Sequence, residues 1–299
     1  MLADFAARAS SLPGTLLHFR DVGNRDVYNI TAPFALNGEV LLAGRVEHRD
    51  NELSEIIFFR QDGQDWIPRY SSPDFAHLQD PCIAFVGGEL ILGGVRYPVN
   101  VPGFGATWIM EFYRGRTLGT LQKFLVGPGS MKDIRFCDLP GGRVGVFSRP
   151  QGPRGGRGTI GFAVADSLDA VDAASIDRAP LLEGQFAPGE WGGANEAHLL
   201  PDGSIGVLGH IAQWNASGDR HYYPMSFMLN PRTLATTTPT IIAERSCFPL
   251  APAKRADLQD VVFSGGLVRH RDGGATLYAG LGDAAAGSVN IRDPFRAIV

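Results

Sequence analysis

The chain has 299 residues, 44% of them hydrophobic, with a net charge of −4 and a pI near 6.0. That is enough apolar material for a packed core, and charges of both signs are interspersed with no basic tract to neutralise a phosphate backbone, which speaks against disorder and against nucleic acid as a partner. Three cysteines, Cys82, Cys137 and Cys247, are odd in number and far apart, which gives neither a disulfide framework nor zinc spacing.

At the N-terminus, "MLADFAARASSLPGTLLHF" lacks a basic stretch leading into a continuous apolar run, and no later apolar run is long enough to cross a bilayer. The expectation is a soluble, cytoplasmic protein with no membrane partner. "LADFAARASS" reads as a short helix, and residues 1–24 as an N-terminal extension to a single domain spanning 1–299. Beyond it, 38 Gly and 20 Pro punctuate short β-like runs, and five segments repeat one form: apolar strand, glycine turn, apolar strand. They are "APFALNGEVLLAGRV" (32–46), "PCIAFVGGELILGGV" (81–95), "RFCDLPGGRVGVFSR" (135–149), "EAHLLPDGSIGVLGH" (196–210) and "GGLVRHRDGGATLYAG" (265–280). Their turns carry NG, GG, GG, DG and GG, dipeptides that supply positive φ in hairpins. Each hairpin is followed by a further β-like run: "SEIIFFRQ", "TWIMEFYRG", "GTIGFAVADS", "YYPMSFMLNP" and, more weakly, "GSVNIRD".

The turn glycines at 38, 88, 142, 203 and 274 are 50, 54, 61 and 71 residues apart, room for about four strands each, the content of a propeller blade. The predicted fold is therefore all-β, a five-bladed β-propeller with four-stranded blades around a central pocket. A two-sheet sandwich uses the same strand patterns; the fivefold recurrence favours the propeller. "DSLDAVDAAS" (166–175) reads as helix or loop. "GPGSMKD" (127–133) and "WGGANE" (191–196) match no Walker or dinucleotide fingerprint and read as loops.

Inner strands of a propeller line its channel, so polar residues at their ends converge. Asn29, Asp80, Asp133 and the pair Asn195–Glu196 stand near the start of the first strand in four repeats. The fifth has Gly265 or Gly266 there, with Asp260 upstream. The other ends of the hairpins carry Arg45, Arg96, Arg149 and His210, and the last strand runs into "GLGDAAAG" with Asp283. Acids and cations around one funnel predict a pocket for a small ligand; the plainer alternative is that they cap strands and bind water. His198, His210 and His221 share neither a helix face nor close pairing, so no metal is expected. The loop 149–159 gathers Arg149, Arg154 and Arg157 into a cationic rim for phosphate or a diphosphate, or simply into solvent. Tyr222 and Tyr223, beside Arg220, are candidates to stack on a sugar, although aromatics in β-proteins more often pack the core.

Taken in order, "YNITAPF…LLAGRVE", "QDPCIAF", "KDIRFCDLPGGRVGVFSRP", "PDGSIGVLGHIA…RHYYPMSFML" and "DVVFSGGLV…LYAGLGD", over roughly residues 25 to 290, resemble the five-bladed β-mannoside phosphorylases of glycoside hydrolase family 130. They resemble still more the related β-1,2-mannosyltransferase/phosphorylases that make mannogen-type polymers and their bacterial relatives. The resemblance implies that Asp80, in "LQDPC", is the catalytic proton donor, passing its proton through a sugar hydroxyl. Gln79 and Cys82 depart from the Glu and Arg that flank this Asp-Pro in the family. It further implies that Asn29, Arg45 and Asp283 hold the substrate sugar; Asp133, from its place in the repeat, and Tyr223, as an aromatic beside Arg220, are added to that set as candidates. Arg149, in "FSRP", would bind phosphate, assisted by Lys132, Arg135 and His210. Inorganic phosphate or mannose 1-phosphate is then the co-substrate, with nucleotide mannose as another donor and no further cofactor.

Where the family has a phosphate-binding lysine before the fourth turn, this chain has Leu199, with Glu196 and His198 close by. Glu196 is therefore a second candidate catalytic residue, a base activating water, or else a ligand for an acceptor sugar. An inverting hydrolase needs two carboxylates ~6.5–9.5 Å apart, whereas a phosphorylase needs one acid and cations to hold its anionic nucleophile. Three readings follow: inverting mannosyl transfer or phosphorolysis, an inverting β-mannosidase using Asp80 and Glu196, and a non-catalytic sugar-binding propeller. Proton donation asks that Asp80 have a raised pKa; a merely structural Asp80 would cap the strand entrance through backbone N–H groups.

Overall fold

The structure, a computed structural model, describes residues 2–6, 13–70, 73–101, 103 and 105–296. Strands dominate it, as expected of an all-β chain. Among the described residues, α-helix is confined to Leu2–Ala6 and Ala173–Asp177. The first occupies the start of the predicted N-terminal helix, the rest of which lies outside the described residues. The second ends the 166–175 stretch, where the Asp172 carboxylate accepts from the Ser175 N–H (2.6 Å) and caps the turn.

All five predicted hairpins form as antiparallel pairs: Phe34–Leu36 with Glu39–Glu47, Leu78–Val86 with Glu89–Val101, Arg135–Asp138 with Val144–Ser148, Trp191–Leu199 with Ile205–Trp214, and Asp260–Arg269 with Gly274–Leu281. The further runs add a third antiparallel strand to each: Glu55–Asp62, Gly105–Gly115, Gly161–Ala165, Arg220–Leu229 and Ala285–Arg292. Outer strands follow at Asp65–Pro68, Gln122–Val126 and Thr240–Ile241. The last sheet takes its outer strand from the other end of the chain, because Thr15–Leu16 pairs with Ala285–Arg292. His18–Phe19 pairs with Asp65–Pro68, so two short strands of the stretch 1–24 join the sheets. The segment 191–196, expected as a loop, is strand.

The core lies between successive sheets in five clusters. Leu41, Ala43 and Phe58 pack with Leu78, Leu90 and Leu92. Ile91 and Phe112 pack with Phe136 and Val146, then Phe147 and Phe162 with Val207 and Met225, and Leu208 with Val262, Leu277 and Val289. The series returns to its start where Ala286 joins Val27, Leu42 and Phe59. Neighbouring residues such as Leu41 and Leu42 point into different clusters, following the two-residue period of a strand buried on both faces. This is why the hairpins read as continuous apolar runs. Cys82, Cys137 and Cys247 are free and buried in these clusters as small hydrophobes.

Three first strands are broken by a register shift: between Gln79 and Cys82, between Ala194 and Glu196, and between Ser264 and Gly266. A bulge of this kind re-aims the extra residue. Its occupants are Asp80, Asn195 and Gly265, three of the positions singled out by the repeat. Asp80 has φ +50, and Asn29, Asp133 and Asp283 have φ +44, +59 and +53, a left-handed conformation that Asn and Asp tolerate better than other side chains. The fifth repeat has glycine at the bulge because a Cβ on Gly265 would lie 1.8 Å from the Ile30 carbonyl oxygen.

Candidate functional site

The bulged and left-handed residues converge. Asp80 Oδ1 accepts from Asn29 Nδ2 (2.8 Å) and from Arg45 Nη1 (3.2 Å), and its side chain keeps 13% of its surface open. Arg45 is fixed from behind: Nε and Nη2 donate to Glu47 Oε2 (3.0 and 2.7 Å), and Nε also reaches Ser54 Oγ (3.0 Å). Glu47, fully buried, also accepts from the Tyr28 hydroxyl, the Ser54 hydroxyl and the Lys254 ammonium. Asp283 lies within electrostatic reach of Asp80, Arg45, Lys132 and Lys254.

A second cluster adjoins the first and is built on Asp133. Arg149 Nε lies 3.4 Å from Asp133 Oδ2, Arg135 Nη2 lies 3.5 Å from Oδ1, and His210 Nε2 lies 4.0 Å from Oδ2. Arg149 Nε donates to the Gly192 carbonyl (2.7 Å), and Nη1 has no partner among the described residues. Arg135 Nε donates to the Asn195 carbonyl (2.8 Å), and His210 Nδ1 pairs with Asn195 Oδ1 (2.8 Å). Lys132 links the clusters, acting on Asp80 and Asp133 alike, and its ammonium lies 5.5 Å from the centre of the Trp108 ring.

Burial pushes the Asp80 carboxyl up, but Arg45, Lys132 and the Asn29 hydrogen bond outweigh it and hold the group below the usual carboxylate range. The expectation of a raised pKa at Asp80 is thus reversed in the free site. The raised acid is Asp283, pushed up by burial and by the charge of Asp80. Asp133 is held low because Arg149, His210, Arg135 and Lys132 overcome its burial. Burial drives His210 down to about 3, leaving it neutral at pH 7.

The structure brings together Asn29, Arg45, Asp80, Asp283, Lys132, Asp133, Arg135, Arg149 and His210. It does not bring Glu196 to them. The bulge spends its inward position on Asn195, so the next side chain turns to the neighbouring sheet, where Glu196 Oε2 accepts from Leu267 N (2.7 Å) and His198 Nε2 (2.8 Å). Cys82, one position beyond the second repeat's bulge, likewise reaches across to the Ile134 carbonyl. Tyr223 is also elsewhere: it is buried in the core and its hydroxyl donates to Asp260 (2.6 Å). Its neighbour Tyr222 faces the site, stacked on His210 at 5.5 Å and accepting from Trp191 Nε1 (3.1 Å). Arg96 pairs with Glu111 through two hydrogen bonds (2.7 and 2.8 Å), outside both clusters. Of the rim arginines, Arg154 donates to the Ala179 carbonyl (2.5 Å), while Arg157 covers the Trp214 ring at 3.9 Å and its carbonyl accepts from Arg149 Nη2 (3.2 Å).

Sequence reasoning missed Glu47, Ser54, Lys254 and Trp108. Glu47 had a signal, since it follows Arg45 by two residues and so shares its strand face; Lys254 comes from a loop and had none. No group of three or more His, Cys, Asp or Glu side chains among the described residues is placed to hold a metal ion, and none of the described helices is long and apolar enough to cross a membrane.

A family model described as "Protein of unknown function (DUF1861)" matches residues 4–297. No curated protein matches. Among solved structures, a mannose phosphorylase from Leishmania mexicana in complex with a phosphate ion is 36% identical, with a TM-score of 0.90 over 98% of this chain and 92% of that one. A GDP-Man-dependent mannosyltransferase from the same organism is 32% identical, with a TM-score of 0.88 over 100% and 96% of the two chains. A β-1,2-mannobiose phosphorylase from Listeria innocua, 16% identical with a TM-score of 0.66 over 91% of each chain, shares the fold.

Proposed function

We propose that this chain, which belongs to the DUF1861 family and is similar over its whole length to the Leishmania mannose phosphorylase and mannosyltransferase, is an enzyme acting on β-mannosides. It moves a mannosyl unit between a sugar and phosphate with inversion, Asp80 is its acid–base group, the linkage is β-1,2, and its five sheet units are the blades of a propeller. The closed series of inter-sheet cores supports the blade count.

One observation carries the phosphate half of this reading. The Arg149 guanidinium is 3% exposed, anchored at Nε, and left with an Nη1 that has no partner among the described residues, while Lys132, Arg135 and His210 act with it on Asp133. A buried cation with a spare donor calls for an anion, and a phosphate oxygen satisfies it. Inorganic phosphate, or the phosphate of mannose 1-phosphate, is the co-substrate of this reading.

Asn29, Arg45 and Asp283 surround Asp80 and offer both donors and acceptors to mannosyl hydroxyls. In phosphorolysis, a phosphate oxygen bonds the anomeric carbon, the bond from that carbon to the leaving oxygen breaks, and the Asp80 proton passes to the leaving oxygen. In chain extension the steps reverse, and the Asp80 carboxylate takes the acceptor's proton. Its low pKa in the free site suits the second direction. A phosphate dianion beside Lys132 offsets one of the cations that hold Asp80 down, and so favours the protonated acid needed for the first.

Transfer from a nucleotide mannose is the second reading, favoured by the cationic and aromatic rim of Arg157 on Trp214 next to Arg149. Hydrolysis through Glu196 has no such support, since that carboxylate faces the next sheet. The test is a product assay of the purified protein with β-1,2-mannobiose or longer manno-oligosaccharides. Mannose 1-phosphate formed in strict dependence on phosphate supports phosphorolysis, chain extension from GDP-mannose supports the nucleotide donor, and free mannose released without phosphate overturns both.

A further inference from the structure

Glu47 divides its two carboxylate oxygens between two sets of partners. Oε2 accepts from Arg45 Nε (3.0 Å) and Nη2 (2.7 Å) and from the Ser54 hydroxyl, while Oε1 accepts from the Tyr28 hydroxyl and the Lys254 ammonium. A guanidinium commonly meets a carboxylate as a fork, with one N–H on each oxygen. Arg45 is denied that arrangement, because Lys254 stands on the second oxygen. Its guanidinium is turned, and Nη1 reaches Asp80 Oδ1 at 3.2 Å.

The second hairpin supplies the comparison. Arg96, at the equivalent end of that hairpin, does fork onto its carboxylate, with Nε on Glu111 Oε1 (2.7 Å) and Nη2 on Oε2 (2.8 Å). There too a lysine and a tyrosine touch the carboxylate, but the Lys123 side chain is 47% exposed, lies 3.2 Å from Oε1 and leaves that oxygen open to the arginine. The Lys254 side chain is 7% exposed, and its ammonium is fixed a second time by the Asn51 carbonyl (2.6 Å). A buried cation held at two points competes with Arg45 in a way that a solvated one cannot compete with Arg96.

The backbone of the same residue serves the other side of the pocket. Lys254 N donates to the Gly282 carbonyl (2.8 Å), and Gly282, with φ +58, is packed so closely that a Cβ on it would lie 2.8 Å from Ala253 Cβ. The turn held in this way presents Asp283, which feels the charges of Lys254 and Arg45 together. We propose that Lys254 is a positioning residue for the Asp80 pocket: by claiming Glu47 Oε1 it keeps Arg45 off the fork and aimed at Asp80, and through its backbone it ties the Asp283 turn into the same frame. The kinetic consequence rests on the reading of this pocket as the mannosyl site; the aim of Arg45 does not.

The experiment uses the full-length protein with Lys254→Ala, which removes the atoms of a propylammonium ion, and Lys254→Met, which keeps most of the stem and drops the charge. In folded Lys254→Ala the KM for the mannoside is expected to rise about tenfold or more, the range of a hydrogen bond to a charged group, while the KM for phosphate stays within about threefold of wild type. Added propylammonium should restore the mannoside KM, and propan-1-ol, of the same size but uncharged, should not. A mannoside KM within about threefold of wild type, an equal rise in both KM values, or equal restoration by the alcohol overturns the proposal. In the crystal structure of Lys254→Met, Arg45 is expected to fork onto both Glu47 oxygens and leave Asp80; Arg45 in its wild-type place overturns the proposal whether or not Lys254→Ala folds. A wild-type protein that turns over no mannoside defeats the reading of the pocket instead, and the Lys254→Met structure still decides the aim of Arg45.

Discussion

Gly193 occupies the point where the three phosphate-cluster side chains meet, and Gly193→Ala tests that cluster without touching a charged group. The added Cβ would lie 2.9 Å from Arg149 Cδ, 3.0 Å from His210 Cε1 and 3.1 Å from Asp133 Cβ. Ordinary carbon contacts are about 3.5–4.0 Å, so each neighbour has to retreat by roughly half an ångström. None retreats freely, because Arg149 is bonded to the Gly192 and Arg157 carbonyls and His210 to Asn195. Overpacking of this kind costs about 1–3 kcal/mol of stability. Shifts approaching 1 Å in a positioned site cost on the order of 100-fold in rate. The expectation is a folded variant whose KM for phosphate rises about 10- to 100-fold while its KM for the mannoside moves by less than about threefold, read from initial rates with each substrate varied in turn. A folded Gly193→Ala protein with wild-type phosphate dependence would refute the assignment of Arg149 and His210 to the anion.

Asp80→Asn should reduce turnover by about 10²–10⁴-fold, the usual contribution of a positioned acid–base group, with sugar binding by calorimetry retained; activity within tenfold of wild type removes Asp80 from the chemistry. Glu47→Gln leaves the Arg45 and Lys254 cations without their shared counter-ion, and should destabilise the fold by about 3–5 kcal/mol, read as a lower urea midpoint at constant m. His210 sets a pH dependence of known sign. Its folded pKa of about 3 lies below the ordinary histidine value of 6.5, so above pH 6.5 both states are neutral and the group has no effect. As pH falls below 6.5 the unfolded state takes up a proton that the folded state refuses. Stability then falls with pH by about 2 kcal/mol between pH 7 and pH 5 on this group's account. An NMR titration in which the His210 ring protonates above pH 5 contradicts the burial that the prediction rests on.

The repeat was legible because strands buried on both faces leave uninterrupted apolar runs between glycine turns, and the five hairpins fall where those runs place them. Asp80, Asn29 and Arg45 were legible for a related reason: equivalent positions in a repeat occupy equivalent places around an axis. The errors also have a common origin. A bulge displaces the side-chain alternation by one, so Asn195 took the inward position while Glu196 turned to the next sheet, a step that counting from the turn glycine does not register. Tyr222 and Tyr223 were both read as candidate sugar contacts, but successive residues of a strand face opposite ways, so Tyr222 stacks on His210 and Tyr223 enters the core. The pKa order of Asp80 and Asp283 depends on which acid Arg45 and Asn29 touch, and linear sequence carries no such information.

The pairing of Thr15 with Ser288 joins residues 273 positions apart. On the ribosome the first of these emerges long before the second exists, so the early strand waits unpaired through nearly the whole of synthesis. This pairing therefore cannot form until the strand Ala285–Arg292 has been made, and a nascent chain arrested before residue 285 leaves Thr15–Leu16 without its partner strand.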